Sequence, residues 1–433
     1  MFGKKLGMVA VSVSLVSMAL TACGGTGTEE KAGNNQPKDA AVADSSKTIT
    51  FWAFDTDPIF QASAEAAASE MGVKLNYEYI QDETYKTKIS VALAANELPD
   101  VFEQHAGLSF RTPVLQLKTA APLNDVLEST GLGSKFLDNR LVKEEDGNIY
   151  SVPSNISTTL VLYYNKKLVN KLGVSAPTTW DDLQSIVKAA NDKGLIPIAL
   201  GGKERWQGDL LYNMLVLREN ADAFDHAMGG QAKFTDAPFV EAANKIRTLV
   251  DTNAFQKGFL GSAYLDAQEL FKTNKAVMWV DGSFNFSSLS SAMGDDLGYI
   301  VFPKTGAEDP YSATIGFQNE KAPYSLFANN SSKNVEEAKE FAVRMSLKLN
   351  DEFVRKGLPG YAKSDVKSET QNEQLSAYTT DIGKTKKTQA IWFGLVPAAV
   401  GQEYRDLTQQ LYGSALTAEQ FTTQLETTLR KTE

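Results

Sequence analysis

The sequence has little cysteine and little histidine. Among its 433 residues there is one cysteine, Cys23, and there are two histidines, His105 and His226. A single thiol cannot form an internal disulfide, and the chain after Cys23 has no thiol for catalysis. The sequence also lacks the HExxH and CxxC metal-binding patterns and the GxSxG nucleophile elbow. It therefore predicts no metal site and no cofactor.

Acidic residues outnumber basic ones. Lys and Arg total 43 and Asp and Glu total 53, so the formal net charge is −10. Nucleic acids and anionic membrane surfaces attract proteins through clustered basic residues. The charge balance argues against both as partners.

The N-terminus has the pattern of an export signal. Lys4 and Lys5 precede an uncharged apolar run over residues 6–20, which is too short for a comfortable membrane span. The motif LTAC, which ends at Cys23, then resembles the bacterial lipoprotein box. In that family the cysteine becomes the first mature residue and carries the lipids, palmitate included. The alternative is an ordinary secretory signal with an incidental cysteine.

The lipoprotein resemblance implies a signal peptide over residues 1–22 and a lipidated Cys23. Residues 23–46 are rich in Gly, Ser, Asn and charge and have almost nothing to bury. Such a composition is typical of a flexible tether. We expect the body of the protein to stand just outside the membrane on this tether.

The body of the chain, from residue 47 onward, is longer than one typical hydrophobic core and suggests two lobes. It begins with strand and helix patterns in alternation, with strands at TITFWAF, VKLNYEYI and PDVFEQ. Strand–helix–strand–helix–strand in this order predicts an α/β fold with a parallel sheet.

Several helix ends are visible in the sequence. Asp57 and Pro58 are suited to the N-cap and first position of the first helix, and Gly72 to its end. Further along, Thr178 and Asp181 have the spacing of a capping box. We expect a helix to begin there.

A parallel sheet also predicts where a ligand binds, because ligands of open α/β sheets lie beyond the carboxyl ends of the strands. This rule selects polar residues after the first and third strands and two loops further along the chain: Asp55, Glu103, Gln104, His105, residues 201–209 and residues 281–286. Both loops combine aromatic rings with hydrogen-bonding side chains.

The order of segments resembles the extracellular solute-binding proteins of ABC importers, in the carbohydrate-binding group related to the maltose-binding protein. The resemblance covers nearly the whole body, from Thr48 to about Arg430. It is carried by ITFWAF, ELPDVFE, APLNDVLE, IYSVPSNISTTLVLYYNKKL, PTTWDDL, FKTNKAVMWVDGSF, GYIVFPK and AKEFAVRMS. Each segment is weak alone, but together and in this order they are specific.

This resemblance implies a two-lobed fold of the type II periplasmic-binding-protein class, with several hinge crossovers and a ligand cleft between the lobes. It implies one lobe over residues 47–156 and 302–350, and a second over residues 160–300 and 352–433. The expected protein is a monomer that closes on a carbohydrate and delivers it to a membrane permease, without catalysis. A lipid anchor at the extracellular face suits a Gram-positive cell, which has no periplasm to confine a receptor.

Ligand-binding positions carry over by their place in the matching segments. The contacts implied in this way, together with the aspartate of the second loop, are Asp55, Glu103, Gln104, Trp206, Asp209, Asp281, Phe284 and Trp392. The segment PSNISTT departs from the acidic contact of maltose binders and offers Asn155, Ser157 and Thr158, which puts maltose itself in doubt. Flat rings stack on the C–H faces of sugars while carboxylates and amides bind hydroxyls, and several rings suit an oligosaccharide.

Two other classes of function remain open at this stage. A secreted glycosidase would use a pair of carboxylates, which a chain rich in acids contains by chance. A binder of another solute would use the same fold: Tyr163 and Tyr164 are similar to the twin tyrosines of ferric-iron binders, and Arg205 beside acidic residues offers a weak basis for a peptide site.

Overall fold

The structure is a computed structural model. It describes residues 47–55, 57–138, 140–156, 158–305, 311–316, 323–369, 373–392 and 395–430. The predicted signal peptide, Cys23, the tether and Ser157 lie outside these residues. In the described part of the chain, no helix is both long enough and apolar enough to cross a bilayer.

Strands are numbered here in chain order. They are β1 (Thr48–Ala53), β2 (Lys74–Tyr79), β3 (Val101–Gln104), β4 (Ser151–Pro153), β5 (Leu160–Asn165), β6 (Ile196–Ala199), β7 (Ala276–Gly282), β8 (Leu297–Ile300), β9 (Thr314–Gly316), β10 (Ser325–Ala328) and β11 (Thr388–Ala390).

Helices are numbered in the same way. They are α1 (Pro58–Met71), α2 (Asp82–Ala95), α3 (Leu108–Gln116), α4 (Asn124–Ser129), α5 (Lys166–Leu172), α6 (Trp180–Asp192), α7 (Trp206–Glu219), α8 (Ala223–Met228), α9 (Ala237–Asp251), α10 (Tyr264–Lys272), α11 (Phe286–Met293), α12 (Val335–Arg355), α13 (Glu373–Ile382), α14 (Ala398–Tyr412) and α15 (Ala418–Arg430).

The first sheet has the strand order β2-β1-β3-β10-β4. β1 runs parallel to both β2 and β3, as predicted, whereas β10 returns antiparallel to β3 and β4. Successive side chains of a strand point to opposite faces, and Ile49, Phe51 and Ala53 of β1 are the buried alternation. The Phe51 ring packs edge-on against Phe341 of α12, which covers this face together with α1.

The second sheet has the order β6-β7-β5-β8. β7 is parallel to β6 and antiparallel to β5, and it is buried at every position. A strand with helices on both faces has no solvent-facing side, which explains the uninterrupted apolar run at AVMWV. The helix α7, which is buried from Gln207 to Arg218, packs on this sheet and is itself covered by α9 and α14.

Within the described ranges, the chain passes between the two sheets at three places. The first crossover joins β4 to β5 directly through residues 154–159, the second leads from β8 to β10, and the third leads from α12 to α13. Along the second crossover, β9 forms a small parallel sheet with β11. The exact lobe boundaries proposed from the sequence stay a prediction.

The predicted helix ends are confirmed in one case and displaced in the other. Asp57 caps α1 by accepting the amide of Ile59 at 3.1 Å, and Gly72 ends it with a φ of 67°. The capping box of α6 is formed by Thr179 and Asp182, not by Thr178 and Asp181. Thr178 and Asp181 have the same three-residue spacing, but the Thr178 hydroxyl donates instead to the Asp182 carboxylate at 2.8 Å.

Asp209 lies in the first turn of α7 and has no exposed surface. Two hydroxyls of α14 lie beside it: Tyr404 donates to Asn213 at 2.7 Å, and Thr408 donates to the carbonyl of Tyr404 at 2.9 Å and lies within reach of the Asp209 carboxylate. Because burial disfavours the charged form, the pKa of Asp209 is raised to about 7. Asp209 is covered by α14, and the ligand contact predicted for it stays a prediction.

The buried position of Asp209 predicts a pH-dependent stability. The pKa of Asp209 is higher in the folded than in the unfolded protein, so between these two pKa values the folded protein binds more protons. The stability that Asp209 contributes therefore falls as pH rises towards 7. Asn cannot ionise, so the Asp209→Asn variant should not lose this stability as pH rises. Its free energy of unfolding should exceed that of wild type by roughly 4 kcal/mol at about pH 8, at about 1.36 kcal/mol per pKa unit. Urea unfolding at several pH values measures the difference.

The matched control for this prediction is Glu241→Gln, because Glu241 is an exposed acid on the neighbouring helix α9. This control should keep the pH dependence of the wild type. An Asp209→Asn variant whose unfolding free energy runs parallel to that of wild type at all pH values would contradict the assignment.

Candidate functional site

Parallel pairing brings the ends of β1 and β3 together at one edge of the first sheet. Asp55 follows β1, and Glu103 and Gln104 end β3. The backbone N–H of Phe54 donates to Glu103 Oε2 at 3.2 Å, which ties the two strand ends. Three predicted site residues therefore share this edge, with Asp55 half-buried and the other two buried.

Asp55 and Glu103 form a pair of carboxyl groups in a poorly hydrated place. Burial, and then the proximity of Asp55, raise the pKa of Glu103 well above its usual range. Burial also raises the pKa of Asp55, to about 6, although the backbone N–H of Asp57 donates to it at 2.8 Å. Two carboxyl groups in one low-dielectric place disfavour double ionisation, because each charge raises the cost of the other.

The first crossover is anchored at both of its ends. Ser154 donates its hydroxyl to Glu103 Oε1 at 3.2 Å. At the other end, Thr159 and Ser283 exchange two bonds: the Thr159 N–H donates to Ser283 Oγ at 3.1 Å, and the Ser283 N–H donates to the Thr159 carbonyl at 2.8 Å. Ser154 and Thr159, the two ends of this crossover, are thus held by the polar edges of both sheets, and Glu103 has a structural bond beside the ligand contact predicted for it.

Asn155 lies in this crossover and is half-buried. Its side-chain oxygen accepts the N–H of Ile156 at 2.8 Å, a local bond that fixes the carboxamide close to the backbone. The position between the two sheets is compatible with the ligand contact predicted for it, which stays a prediction.

Sequence reasoning selected His105 at the edge of the first sheet but missed the aromatic rings around it. The Phe54 ring stacks on His105 with centroids 3.8 Å apart and planes 5° apart, and Phe110 and Tyr324 also lie against His105. His105 Nε2 is 2.5 Å from Asp82 Oδ1, which orients the imidazole. The available signal was position: Phe54 and His105 directly follow β1 and β3.

On the second sheet, the loop after β6 turns sharply into α7. Arg205 has a φ of 69°, an uncommon value for a residue with a side chain, and it places Trp206 at the first helical position. Gln207 pins the turn, since its side-chain oxygen accepts the Gly201 N–H at 2.8 Å and its amide donates to the Val280 carbonyl at 3.0 Å. The predicted ring of Trp206 is half-buried beside Tyr264, with centroids 5.3 Å apart.

The segment after β7 presents a ring to solvent and hides a carboxylate. Phe284 is 44 % exposed. A Cβ added to Gly282 would lie 2.0 Å from the Phe284 ring, so only glycine lets the ring lie on this backbone. Asp281 has no exposed surface, and its Oδ2 accepts the Tyr264 hydroxyl at 3.0 Å. Phe284 thus has a partly exposed ring, whereas Asp281 is buried beneath the loop.

Trp392 does not lie at either sheet edge. It is 1 % exposed and packs in the core of the second sheet, with the Tyr404 ring 4.7 Å and the Phe234 ring 5.4 Å away. Its indole N–H donates to the sulfur of Met228 at 3.3 Å. Surrounding rings occupy the faces of Trp392 in this structure, and the ligand contact predicted for it stays a prediction.

The twin tyrosines do not converge on a common ion. Tyr163 is buried and donates its hydroxyl to the Gly282 carbonyl at 3.0 Å, in one core cluster. Tyr164 packs against the cluster on the opposite face of the same sheet, as neighbours on a strand must. This arrangement disfavours the iron-binding alternative.

Known proteins resemble this chain both in sequence and in structure. Residues 54–344 match the family described as bacterial extracellular solute-binding protein. The multiple sugar-binding protein of Streptococcus mutans is 26% identical over 209 residues, which are 46% of this chain and 47% of that protein. The chain thus matches about half the length of this relative.

Two solved structures have the same fold. One, from a study of xylan utilization by the thermophilic bacterium Caldanaerobius polysaccharolyticus, has a TM-score of 0.78 and 28% identity, and covers 88% of this chain and 99% of its own. The other, a chitin oligosaccharide binding protein, also has a TM-score of 0.78, with 23% identity and coverage of 90% and 99%.

These likenesses confirm the predicted two-lobed α/β fold, in which the two sheets belong to different lobes and the crossovers form the hinge. The family match extends over residues 54–344, well over half of the chain. The protein belongs to the bacterial extracellular solute-binding proteins.

Proposed function

We propose that this protein captures a carbohydrate, of two or more sugar units, in the cleft between its lobes and delivers it to the permease of an ABC importer. It acts as a monomer and has no catalytic activity of its own. The main support is the pairing of half-buried or exposed rings with hydrogen-bonding groups at the polar edges of both sheets, on either side of the crossover 154–159.

The chemistry of these edges suits sugar rings. Trp206 and Phe284 on the second lobe offer apolar faces for the C–H groups of a pyranose. Asp55, Gln104 and Asn155 on the first lobe and the crossover offer acceptors and donors for hydroxyls. A sugar lacking the right hydroxyl would leave one of these groups unpaired in a poorly hydrated place, which provides selectivity.

The names of relatives support the same class of ligand. The Streptococcus relative is a multiple sugar-binding protein, and the 28% identical structure comes from work on xylan utilization. We propose oligosaccharides as the ligand class, with a panel of linkages as the means to choose among them. Lobe boundaries at residues 47–156 with 302–350, and 160–300 with 352–433, complete the proposed clamp.

Thermal shift against mono- and oligosaccharides tests the proposal directly. A ligand that binds only the folded state raises the melting temperature in proportion to the logarithm of its concentration. A shift by at least one oligosaccharide, without its hydrolysis on prolonged incubation, is the expected result. No shift by any sugar, or turnover of the sugar, would reject the proposal.

Removal of a stacking ring should weaken binding without unfolding the protein. We expect Trp206→Ala and Phe284→Ala each to lower the affinity for the oligosaccharide about tenfold or more, since about 1.4 kcal/mol corresponds to a factor of ten. Isothermal titration calorimetry measures the dissociation constants, and the melting temperature reports on folding.

Leu117→Ala is the matched control for the two ring variants. Leu117 is 54% exposed and lies at the end of α3. Shortly after it, Ala120 pairs with Asn329, which follows β10 at the end of the sheet opposite to the site. Its removal should leave affinity unchanged. Equal affinity in wild type, Trp206→Ala and Phe284→Ala would remove both rings from the site.

We further propose that Cys23 carries the lipid that keeps the protein at the outer face of the membrane. In cells that export the full chain, wild type should partition into the detergent phase of a phase-separation assay, whereas Cys23→Ser should be released in soluble form. A Cys23→Ser protein that still partitions with detergent would point to another mode of attachment.

A further inference from the structure

The Asp281 carboxylate is joined to two side chains of the second lobe. Its Oδ2 accepts the Tyr264 hydroxyl at 3.0 Å and also the side-chain amide of Asn285. Asn285 is in turn held by Gln268, whose amide donates to its oxygen at 3.1 Å. Asp281 itself has no exposed surface. Its position is therefore beneath the site, in contact with residues that are closer to solvent.

Tyr264 connects this carboxylate to the aromatic surface. Its half-buried ring lies 5.3 Å from the Trp206 ring and 5.7 Å from the fully buried Trp279 ring, centroid to centroid. Its backbone N–H donates to Glu204 Oε2 at 2.9 Å, which ties α10 to the loop before Trp206. The hydrogen bond from the Tyr264 hydroxyl to Asp281 thus holds the Tyr264 ring, on which the Trp206 ring packs.

We propose that Asp281 is a positioning residue that orients the Tyr264 ring through its hydroxyl, and that Tyr264, together with Trp206, forms the surface on which a sugar ring stacks. This inference rests on the proposed function and replaces the direct ligand contact predicted for Asp281. It adds Tyr264, which sequence reasoning did not select, to the binding surface.

The environment of Asp281 makes this role sensitive to pH. Burial raises the pKa of Asp281 to about 7. An ionised carboxylate accepts a stronger hydrogen bond than a protonated one, so the hold on Tyr264 weakens as pH falls below 7. The titratable groups near Asp281 are the phenols of Tyr163 on β5 and of Tyr264 itself, both with pKa values raised well above their usual range by burial. Glu204 lies on the other side of Tyr264, beside α10.

A double-mutant cycle separates positioning from direct contact. With an oligosaccharide that binds wild type, we expect Asp281→Ala and Tyr264→Phe at about pH 8 each to weaken binding about tenfold, and the double variant to be no weaker than the weaker single variant. Asp281→Asn keeps an acceptor oxygen, so it should restore most of the affinity and lose the pH dependence around 7. Losses that multiply to about a hundredfold in the double variant would show an independent contact and overturn the inference.

Two controls accompany the cycle. Tyr150→Phe removes another hydroxyl that donates to an aspartate, Asp146, at 2.6 Å on the first lobe, and it should leave affinity unchanged. Glu204→Gln should keep the pH dependence of wild type, which assigns the titration to Asp281. A pH dependence lost in Glu204→Gln instead would contradict that assignment.

A measurement without ligand keeps the inference separate from the proposed function. In protein with ring-labelled tyrosine, the NMR signal that is lost in Tyr264→Phe identifies Tyr264. We expect this signal to shift with pH around 7 in wild type and to be displaced in Asp281→Ala, in protein whose melting temperature shows it to be folded. If no sugar binds, the proposed function fails, but this spectrum still tests whether Asp281 positions Tyr264. A Tyr264 signal that changes neither with pH nor in Asp281→Ala would overturn the positioning role.

Discussion

The hydrogen bonds that hold residues 154–159 between the two sheets are the constraint on which the site depends. Ser154 is tied to Glu103 at the edge of the first sheet, and Thr159 to Ser283 at the edge of the second. Both anchors lie one or two residues from proposed ligand contacts. This segment is the shortest of the three crossovers between the lobes, so the geometry of the site and that of the hinge are linked.

Buried carboxyl groups support the site more than they line it. Glu103 and Asp281 have no exposed surface, and burial raises the pKa of each. Each is bonded to the element that has to stay in place: Glu103 to the crossover, and Asp281 to Tyr264. A polar group held in this way loses little freedom when a ligand arrives, which lowers the cost of binding.

Sequence patterns were informative where the controlling interaction is local. The cap at Asp57 and the parallel order of β1, β2 and β3 depend on neighbours along the chain, and both are present. The patterns failed where two solutions fit equally, as with Thr178 and Thr179, and they carry no information where the partner comes from a distant segment. Asp209 and Trp392 look like site residues in sequence, but α14 contributes Tyr404 to the surroundings of both.

The amino-acid sequence by itself determined the α/β order of the first lobe, the sheet edge at which polar groups gather and the family to which the chain belongs. These features depend on periodicity, caps and strand ends, which are patterns of consecutive residues. Only the tertiary structure decided which rings reach that edge and which are buried. Tyr264 acquires its place from contacts with Trp206 and Asp281, residues 58 and 17 positions away in the sequence. Packing between segments so far apart leaves no local pattern to recognise.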